Sequence, residues 1–183
     1  KSMLTHLDSM CRIGSGLGAK HLVFGSPKNR DRKELTDKEV FEISIPFFRE
    51  LGSIALEHDV DICIEPNPPI YGANFLTTSK DTALFVEKVD HSNIKMQLDT
   101  GTIIINNEDI ESILVEHSNL IGHIHISEPN LMPYGQDKVI CKNHMVNIKK
   151  YLYNHTVTIE MLKVSEDLNY NEVVSAIKTS KLY

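Results

Sequence analysis

Four residues whose side chains could do chemistry stand at the ends of four short apolar runs. They are Glu65 in CIEPN, Asp99 in QLDTG, His125 in HIHIS and Glu160 in TIEML. Three carboxylates and one imidazole form a donor set that suits Mn²⁺, Co²⁺, Mg²⁺ or Zn²⁺ rather than a soft, thiophilic metal. If the fold brings these side chains together, the sequence predicts a binding site for one divalent metal ion.

Two histidines at alternate positions, His123 and His125, raise a related question. Residues i and i+2 of a strand face the same side, so the two imidazoles are expected to point together. A histidine on an apolar strand is also typical of a core residue that bonds to the backbone. For His123, a packing role and a role beside the site therefore both stay open.

The elements that must position these residues are strands and helices in alternation. Apolar runs rich in Ile and Val predict strands buried on both faces of a parallel sheet, over residues 21–26, 61–67, 94–101, 120–127 and 155–162. Helical spacing of apolar residues predicts helices over residues 4–19, 37–59, 78–89, 107–118 and 169–181. In the second helix, Asp37 is the predicted N-cap, and Pro46 is expected to kink the helix or to end it one residue earlier. The alternation predicts right-handed βαβ units in one domain over residues 1–183.

Two architectures are compatible with this alternation, an open doubly wound sheet and a (β/α)₈ barrel. Neither GxGxxG nor GxxxxGK[ST] follows the first strand, which removes the main reason to favour a nucleotide-binding open sheet. In a parallel barrel, the C-terminal ends of all strands meet at one rim, where the active site lies. Candidate ligands at four successive strand ends therefore favour the barrel.

The composition of the 183 residues limits the classes of partner. The net charge is −6 and no long run of Lys and Arg occurs, so no nucleic-acid partner is expected. No apolar run approaches the roughly 20 residues that span a bilayer, so no membrane partner is expected either. The three cysteines are widely spaced and form no CxxC pair, which predicts reduced thiols and a cytoplasmic location.

Five stretches carry a resemblance to a known family. VFGSPKNR, IEPNP, LDTG, HIHISEP and IEM resemble, in order and spacing, the sugar-phosphate isomerase/epimerase branch of the xylose isomerase-like TIM barrels. The resemblance covers nearly the whole chain. It implies an α/β fold, a (β/α)₈ TIM barrel of which only about the last five βα units are present.

The resemblance also implies an activity and assigns residues to it. Glu65, Asp99, His125 and Glu160 match the residues that hold one divalent metal ion in the family, and the two glutamates match the acid and base that act next to a carbonyl. The expected function is a divalent-metal-dependent isomerase or epimerase of a small sugar or polyhydroxy carbonyl compound. His123, Asn67 and Arg30 are the candidate contacts for this small-molecule carbohydrate substrate.

Other activities stay open beside this one. Dehydration of an inosose-like substrate begins with the same proton abstraction, so it is a chemical neighbour of the isomerase reaction. A non-catalytic or altered-function metal-binding barrel is a further alternative. An abasic-site endonuclease-like DNA repair enzyme shares the barrel, but it needs additional His and Asp ligands; Thr102 stands where one such His would be, and no DxH follows HIHIS.

The chain departs from the family pattern in two substrate positions and in length. Thr102 stands where ketose epimerases of the family carry a substrate-contacting His, and Leu131 stands where they carry an Arg. The known sugar specificity is therefore not expected to carry over. The first three βα units are also missing, which would leave strand edges unpaired. We therefore expect a fragment, an unseen N-terminal part or closure by association, and a homo-oligomer rather than a monomer.

Overall fold

The structure, a computed structural model, describes residues 2–163 and 169–183. Helices and strands alternate along most of the chain. In order they are α1 (Ser2–Gly16), β1 (His21–Phe24), α2 (Asp37–Glu57), β2 (Asp61–Ile64), α3 (Ser79–Val89), β3 (Ile94–Asp99), α4 (Thr100–Asn106), α5 (Ile110–His117), β4 (Ile121–Ile126), α6 (Lys138–Tyr151), β5 (Val157–Ile159) and α7 (Asn169–Ser180).

The five strands form one sheet whose spatial order follows the sequence, β1-β2-β3-β4-β5. The pairs β1–β2, β2–β3 and β4–β5 are parallel. Each predicted strand is therefore confirmed, with ends that lie one to three residues inside most of the predicted limits. The prediction of a parallel sheet built from βα units is confirmed as well.

The chain divides into two compact units. The first unit comprises Lys1–Gln97 and Leu120–His123. An aromatic cluster lies in its core, where Phe85 contacts the rings of Phe41, Phe48 and Phe75 edge-on at centroid distances of 5.3–5.6 Å. Edge-to-face packing is a favoured geometry for aromatic pairs, so this cluster fixes α2 and α3 against each other.

The second unit comprises Leu98–Asn119 and Ile124–Tyr183. Its core is largely aliphatic, and the largest fully buried side chains described in it are Leu98, Ile103, Ile110, Leu114, Ile124, Ile126 and Ile148. These residues come from strands and helices alike. The prediction of strands with two buried faces is confirmed for β2 and β3, but it is wrong for β1 and β5, which are only partly buried because they lie at the edges of the sheet.

Helix α2 differs from the prediction at its start and at its proline. Thr36, not Asp37, is the N-cap, and it forms a capping box with Glu39. Threonine is a favoured N-cap residue, and the glutamate three residues later completes the reciprocal pair. The helix continues through Pro46 to Glu57, so it does not end before the proline, and the alternative, a kink at Pro46, stays a prediction.

Two helices were not predicted from the sequence. Helix α4 begins directly after β3, with Asp99 as its N-cap. Helix α6 begins after Asp137, whose side chain accepts hydrogen bonds from the backbone N–H groups of Val139 and Ile140. The polar residues of α6 dilute its apolar spacing, which explains why the periodicity alone did not reveal it.

All three cysteines, Cys11, Cys63 and Cys141, are buried and unpaired, which confirms the prediction of free thiols. Within residues 2–163 and 169–183, no helix is both long enough and apolar enough to cross a membrane.

Candidate metal centre

Glu65 follows the last residue of β2, at the C-terminal end of the strand. The register pairs Phe24 with Ile64, which makes Gly25 the neighbour of Glu65 on β1. A Cβ atom added to Gly25 would lie 2.6 Å from Oε2 of Glu65. The glycine in the FGS stretch therefore leaves the space that this carboxylate fills.

Asp99 is the last residue of β3 and is buried. Its Oδ1 accepts a hydrogen bond of 2.6 Å from the backbone N–H of Thr102, as expected for the N-cap of α4. Its Oδ2 accepts a hydrogen bond of 2.9 Å from the hydroxyl of Ser127. The carboxylate is thus held from both oxygens, which fixes its direction at the end of the strand.

Ser127, which follows β4, organises the residues around Asp99. Besides its bond to Asp99, the Ser127 Oγ atom accepts the backbone N–H of Gly101 at 2.9 Å. The backbone of Ser127 forms reciprocal bonds with the hydroxyl of Thr100, both 2.8 Å long. A Cβ atom on Gly101 would lie 2.5 Å from Ser127 Oγ, so this close approach requires the glycine of the DTG stretch.

His125 and Glu160 lie at the C-terminal ends of the paired strands β4 and β5. The Nδ1 atom of His125 is 3.2 Å from Oε2 of Glu160. The backbone N–H of Glu160 donates to the carbonyl of Ile126 at 3.1 Å, which extends the pairing of the two strands by one residue. Both side chains keep some exposure, 12% for His125 and 37% for Glu160.

The other histidine of the pair, His123, contacts a different partner. Its ring stacks on that of His21 in β1, with centroids 5.9 Å apart and an interplanar angle of 24°. The two imidazoles of HIHIS therefore have distinct surroundings. His123 packs against another histidine, and a substrate contact for it stays a prediction.

The four residues singled out in the sequence each offer one ligand atom, and these atoms all lie within 4.8 Å of one another. Three carboxylates and an imidazole at this separation fit a divalent cation of intermediate or hard character, because the cation offsets the mutual repulsion of the carboxylates. The four residues are Glu65, Asp99, His125 and Glu160. Their role as metal ligands stays a prediction.

Asn67 and Arg30, the other candidate substrate contacts, are buried beside Glu65. The side-chain amide of Asn67 donates to the Oε2 atom of Glu65 at 3.0 Å. The guanidinium of Arg30 donates to the backbone carbonyls of Phe24 and Glu65. Burial lowers the pKa of Arg30 to about 10, although the charge of Glu65 opposes this effect.

The two positions that depart from the family pattern have structural roles in this chain. Thr102 is buried in the first turn of α4, and its N–H donates to Asp99. Leu131 adopts a positive φ of 53°, and its carbonyl accepts the N–H of Leu162 at 2.8 Å. Leu131 therefore ties the segment after β4 to the segment after β5.

Several residues around the site were not identified from the sequence. The Ser127 hydroxyl bonds Asp99 and accepts the N–H of Gly101, and Gly25 makes room for Glu65. Glu128 is buried and accepts the backbone N–H groups of Gly135 and Gln136 at 3.0 Å, which orders the segment after β4. Small residues follow two candidate ligands, Gly101 in DTG and Ser127 in HIS, and this pattern is the signal that could have revealed both.

Comparison with known proteins identifies relatives of this chain. The family model described as "Xylose isomerase-like TIM barrel" matches residues 1–179. The chain is similar to the D-psicose 3-epimerase of Ruminiclostridium cellulolyticum, with 30% identity over 108 residues. That match covers 58% of this chain and only 36% of the relative.

Solved structures share the fold. D-psicose 3-epimerase with D-tagatose from Clostridium cellulolyticum H10 is similar with a TM-score of 0.86 and 20% identity, over 99% of this chain and 70% of that chain. The IOLI protein with a binding zinc atom is similar with a TM-score of 0.69 and 20% identity, over 97% of this chain and 66% of that chain. Because the family model covers nearly all of the sequence, the chain belongs to the xylose isomerase-like TIM barrel family.

Proposed function

We propose that this chain carries the site of a divalent-metal-dependent isomerase or epimerase that acts on a small sugar or polyhydroxy carbonyl compound. The observation that carries the proposal is the group of four ligand atoms within 4.8 Å. Each comes from the C-terminal end of a strand or the residue that follows it, where enzymes of this fold have their active sites.

Glu65, Asp99, His125 and Glu160 would hold the ion. When bound, a divalent cation supplies Lewis acidity toward carbonyl and hydroxyl oxygens, which stabilises negative charge that develops on them. This donor set suits Mn²⁺, Co²⁺, Mg²⁺ or Zn²⁺. One structural relative, the IOLI protein, was solved with a binding zinc atom, which supports a metal site in this fold.

The two glutamates are the acid and base of the proposal. One carboxylate removes the proton from the carbon next to the carbonyl, and the other returns a proton. Return to the same carbon from the opposite face inverts its configuration, and return to the neighbouring carbon interconverts an aldose and a ketose. Glu160 is half-exposed, so its carboxylate is accessible to a substrate.

A sugar substrate is supported by the relatives. The relative from Ruminiclostridium cellulolyticum and the solved structure from Clostridium cellulolyticum H10 are both named as D-psicose 3-epimerases. Thr102 and Leu131 differ from the family's substrate-contacting residues, so the sugar acted on by this chain is proposed only as a class. A dehydratase reaction would begin with the same proton abstraction and differ in the later loss of water.

The test combines metal binding with proton exchange. Chelator-treated protein is titrated with Mn²⁺ by calorimetry and then incubated with D-psicose, D-tagatose and other ketoses in D₂O. We expect binding of one ion per chain and incorporation of deuterium next to the carbonyl of at least one sugar. Glu160→Gln should slow this incorporation by about 100-fold or more, with a modest loss of metal affinity.

Glu116→Gln is the matched control, because Glu116 is an exposed glutamate of the same unit that lies on α5. It should leave metal binding and exchange unchanged. Metal binding without exchange on any sugar would favour the non-catalytic barrel, and absence of metal binding would contradict the proposal. Exchange that persists in Glu160→Gln with both epimers of the sugar would remove Glu160 from the acid-base pair.

A further inference from the structure

The carboxylate of Glu65 is bonded by a residue two positions further along the chain. The amide nitrogen of Asn67 donates to Oε2 of Glu65 at 3.0 Å and to its backbone carbonyl at 3.2 Å. The two contacts match the two hydrogens of the amide. Side chain and backbone of Glu65 are thereby linked through one group, which restricts rotation of the carboxylate.

Asn67 is itself anchored. Only 4% of its surface is exposed, and its backbone N–H donates to the carbonyl of Leu76 at 3.0 Å. An amide that is both buried and tied at its backbone loses little further entropy when it holds a neighbour. The bond to Glu65 is therefore available before any ligand arrives.

Arg30 fixes the backbone on which Glu65 is mounted. It is 7% exposed, and its two terminal nitrogens donate to the carbonyls of Phe24 and Glu65. One planar guanidinium thus joins the C-terminal ends of β1 and β2, a geometry that Lys cannot reproduce. The backbone carbonyl of Arg30 in turn accepts the N–H of Asn74 at 3.2 Å.

Gly25 completes the surroundings of the carboxylate. A methyl group at this position would lie 2.6 Å from Oε2, the same oxygen that accepts from Asn67. Asn67 therefore holds Oε2 of Glu65 in place, and Oε2 fits there because Gly25 has no side chain.

We propose that Asn67 and Arg30 are positioning residues that aim the Glu65 carboxylate, and that they do so before metal or substrate binds. The proposal rests on the function proposed above, because it assigns Glu65 to the metal. A positioning role and a substrate contact have different measurable consequences. A positioning residue determines metal affinity in the absence of sugar, whereas a substrate contact does not.

The chain offers a control with the same chemistry at the other end of β2. Asn93 donates from its amide nitrogen to the backbone carbonyl of Val60 at 3.0 Å and to Oδ1 of Asp61 at 3.1 Å. As at Asn67, one amide bonds a backbone carbonyl and a carboxylate. Asn67→Ala and Asn93→Ala therefore remove the same two kinds of donor contact, and Asn93→Ala also removes the acceptor of the Ser92 hydroxyl at 2.8 Å.

The experiment measures Mn²⁺ affinity by calorimetry on sugar-free protein, followed by kcat and KM for exchange on the best ketose. Asn67→Ala should weaken Mn²⁺ binding by about 10-fold to 100-fold, as is typical when the group that orients a metal ligand is removed. It should lower kcat by a similar factor and leave KM within about two-fold. Asn93→Ala should leave all three quantities unchanged.

Gly25→Ala provides a second route that keeps Asn67 intact. Its added methyl group should displace Oε2 and weaken Mn²⁺ binding by about 10-fold or more, and thermal unfolding of each variant shows whether the fold is retained. Unchanged Mn²⁺ affinity in both Asn67→Ala and Gly25→Ala would overturn the proposal, as would an increase in KM alone. A wild-type chain that binds no Mn²⁺ would instead overturn the proposed function and this inference with it.

Discussion

The two ends of β2 carry the same side-chain contact in different surroundings. At the N-terminal end, the amide of Asn93 bonds the carboxylate of Asp61, and at the C-terminal end the amide of Asn67 bonds the carboxylate of Glu65. Only the second carboxylate belongs to the group of candidate metal ligands. An amide–carboxylate pair is therefore not a functional sign by itself.

The two ends of β2 differ in what surrounds them, because the N-terminal and C-terminal ends of a parallel strand lie at opposite edges of the sheet. Asn93 also joins β2 to the start of β3, because its backbone carbonyl accepts the N–H of Ile62 at 2.9 Å. Its contacts thus stabilise the register of the sheet. The C-terminal end of β2 leads into a loop, and in parallel α/β folds the loops at this end of the strands carry the ligand-binding residues.

The largest expected effect comes from neutralising the carboxylate at each end. Glu65→Gln removes a ligand charge and a candidate base, so we expect a loss of about 100-fold or more in proton exchange and of about 10-fold or more in Mn²⁺ affinity. Asp61→Asn should leave both within about two-fold and lower the free energy of unfolding by about 1 kcal/mol. Calorimetry, exchange assays and urea unfolding measure the three quantities. Equal losses of proton exchange and Mn²⁺ affinity in both variants would contradict the distinction between the two ends of β2.

A second prediction extends the comparison to two serines that bond N-cap aspartates. Ser127 bonds Asp99 in the buried site, and Ser112 bonds Asp109 at the exposed start of α5. Ser127→Ala leaves the buried N–H of Gly101 without this acceptor, so urea unfolding should show a loss of about 2 kcal/mol. Ser112→Ala should cost about 0.5 kcal/mol, because water replaces the lost bond. A larger loss in Ser112→Ala would contradict the distinction.

A third prediction asks whether the buried amide of Gln97 in β3, the strand next to β2, lowers the free energy of unfolding. Gln97 is fully buried in β3, and neither polar atom of its amide has a hydrogen-bond partner among the residues that the structure describes. Replacement by the isosteric Met removes this desolvated amide, so Gln97→Met should raise the free energy of unfolding by about 1–2 kcal/mol. Urea unfolding measures the change, and a destabilised variant would show that the amide is satisfied in solution.

The last prediction concerns His144, a buried residue of α6. Burial lowers its pKa from 6.5 to about 4. The unfolded chain therefore takes up the proton first as pH falls, and stability is lost below about pH 6.5. Between pH 7 and pH 5.5 this loss amounts to about 1 kcal/mol. His144→Leu should reduce the pH dependence of urea unfolding by that amount, and an unchanged slope would exclude His144 as its source.

The sequence predicted the strands better than the helices. All five strands could be located within a few residues because each contains a short apolar run, although only the central strands are well buried and β1 and β5 are partly exposed. Helix α4 is only seven residues long and α6 carries many polar residues, so neither showed a clear period. Helix α2 does not end at Pro46, because a proline removes one hydrogen bond without always ending a helix.

The candidate ligands were predictable because their residue types and strand-end positions are both visible in the sequence. The contacts that orient them were not, because they depend on side-chain distances that residue types and spacing do not reveal. The bond from Ser127 to Asp99 spans 28 positions, and the bonds from Arg30 to Phe24 and Glu65 depend on the register of β1 and β2. The homo-oligomer and the missing first three βα units stay predictions.

The position of Cys63 allows the opening of β2 to be measured. This thiol lies two residues before Glu65 and is fully buried, and burial raises its pKa to about 12. Because the thiolate is the reactive form, alkylating reagents should modify Cys63 only when the strand separates from its neighbours. In a variant with serine at Cys11 and Cys141, the alkylation rate would therefore report how often the strand that carries Glu65 opens.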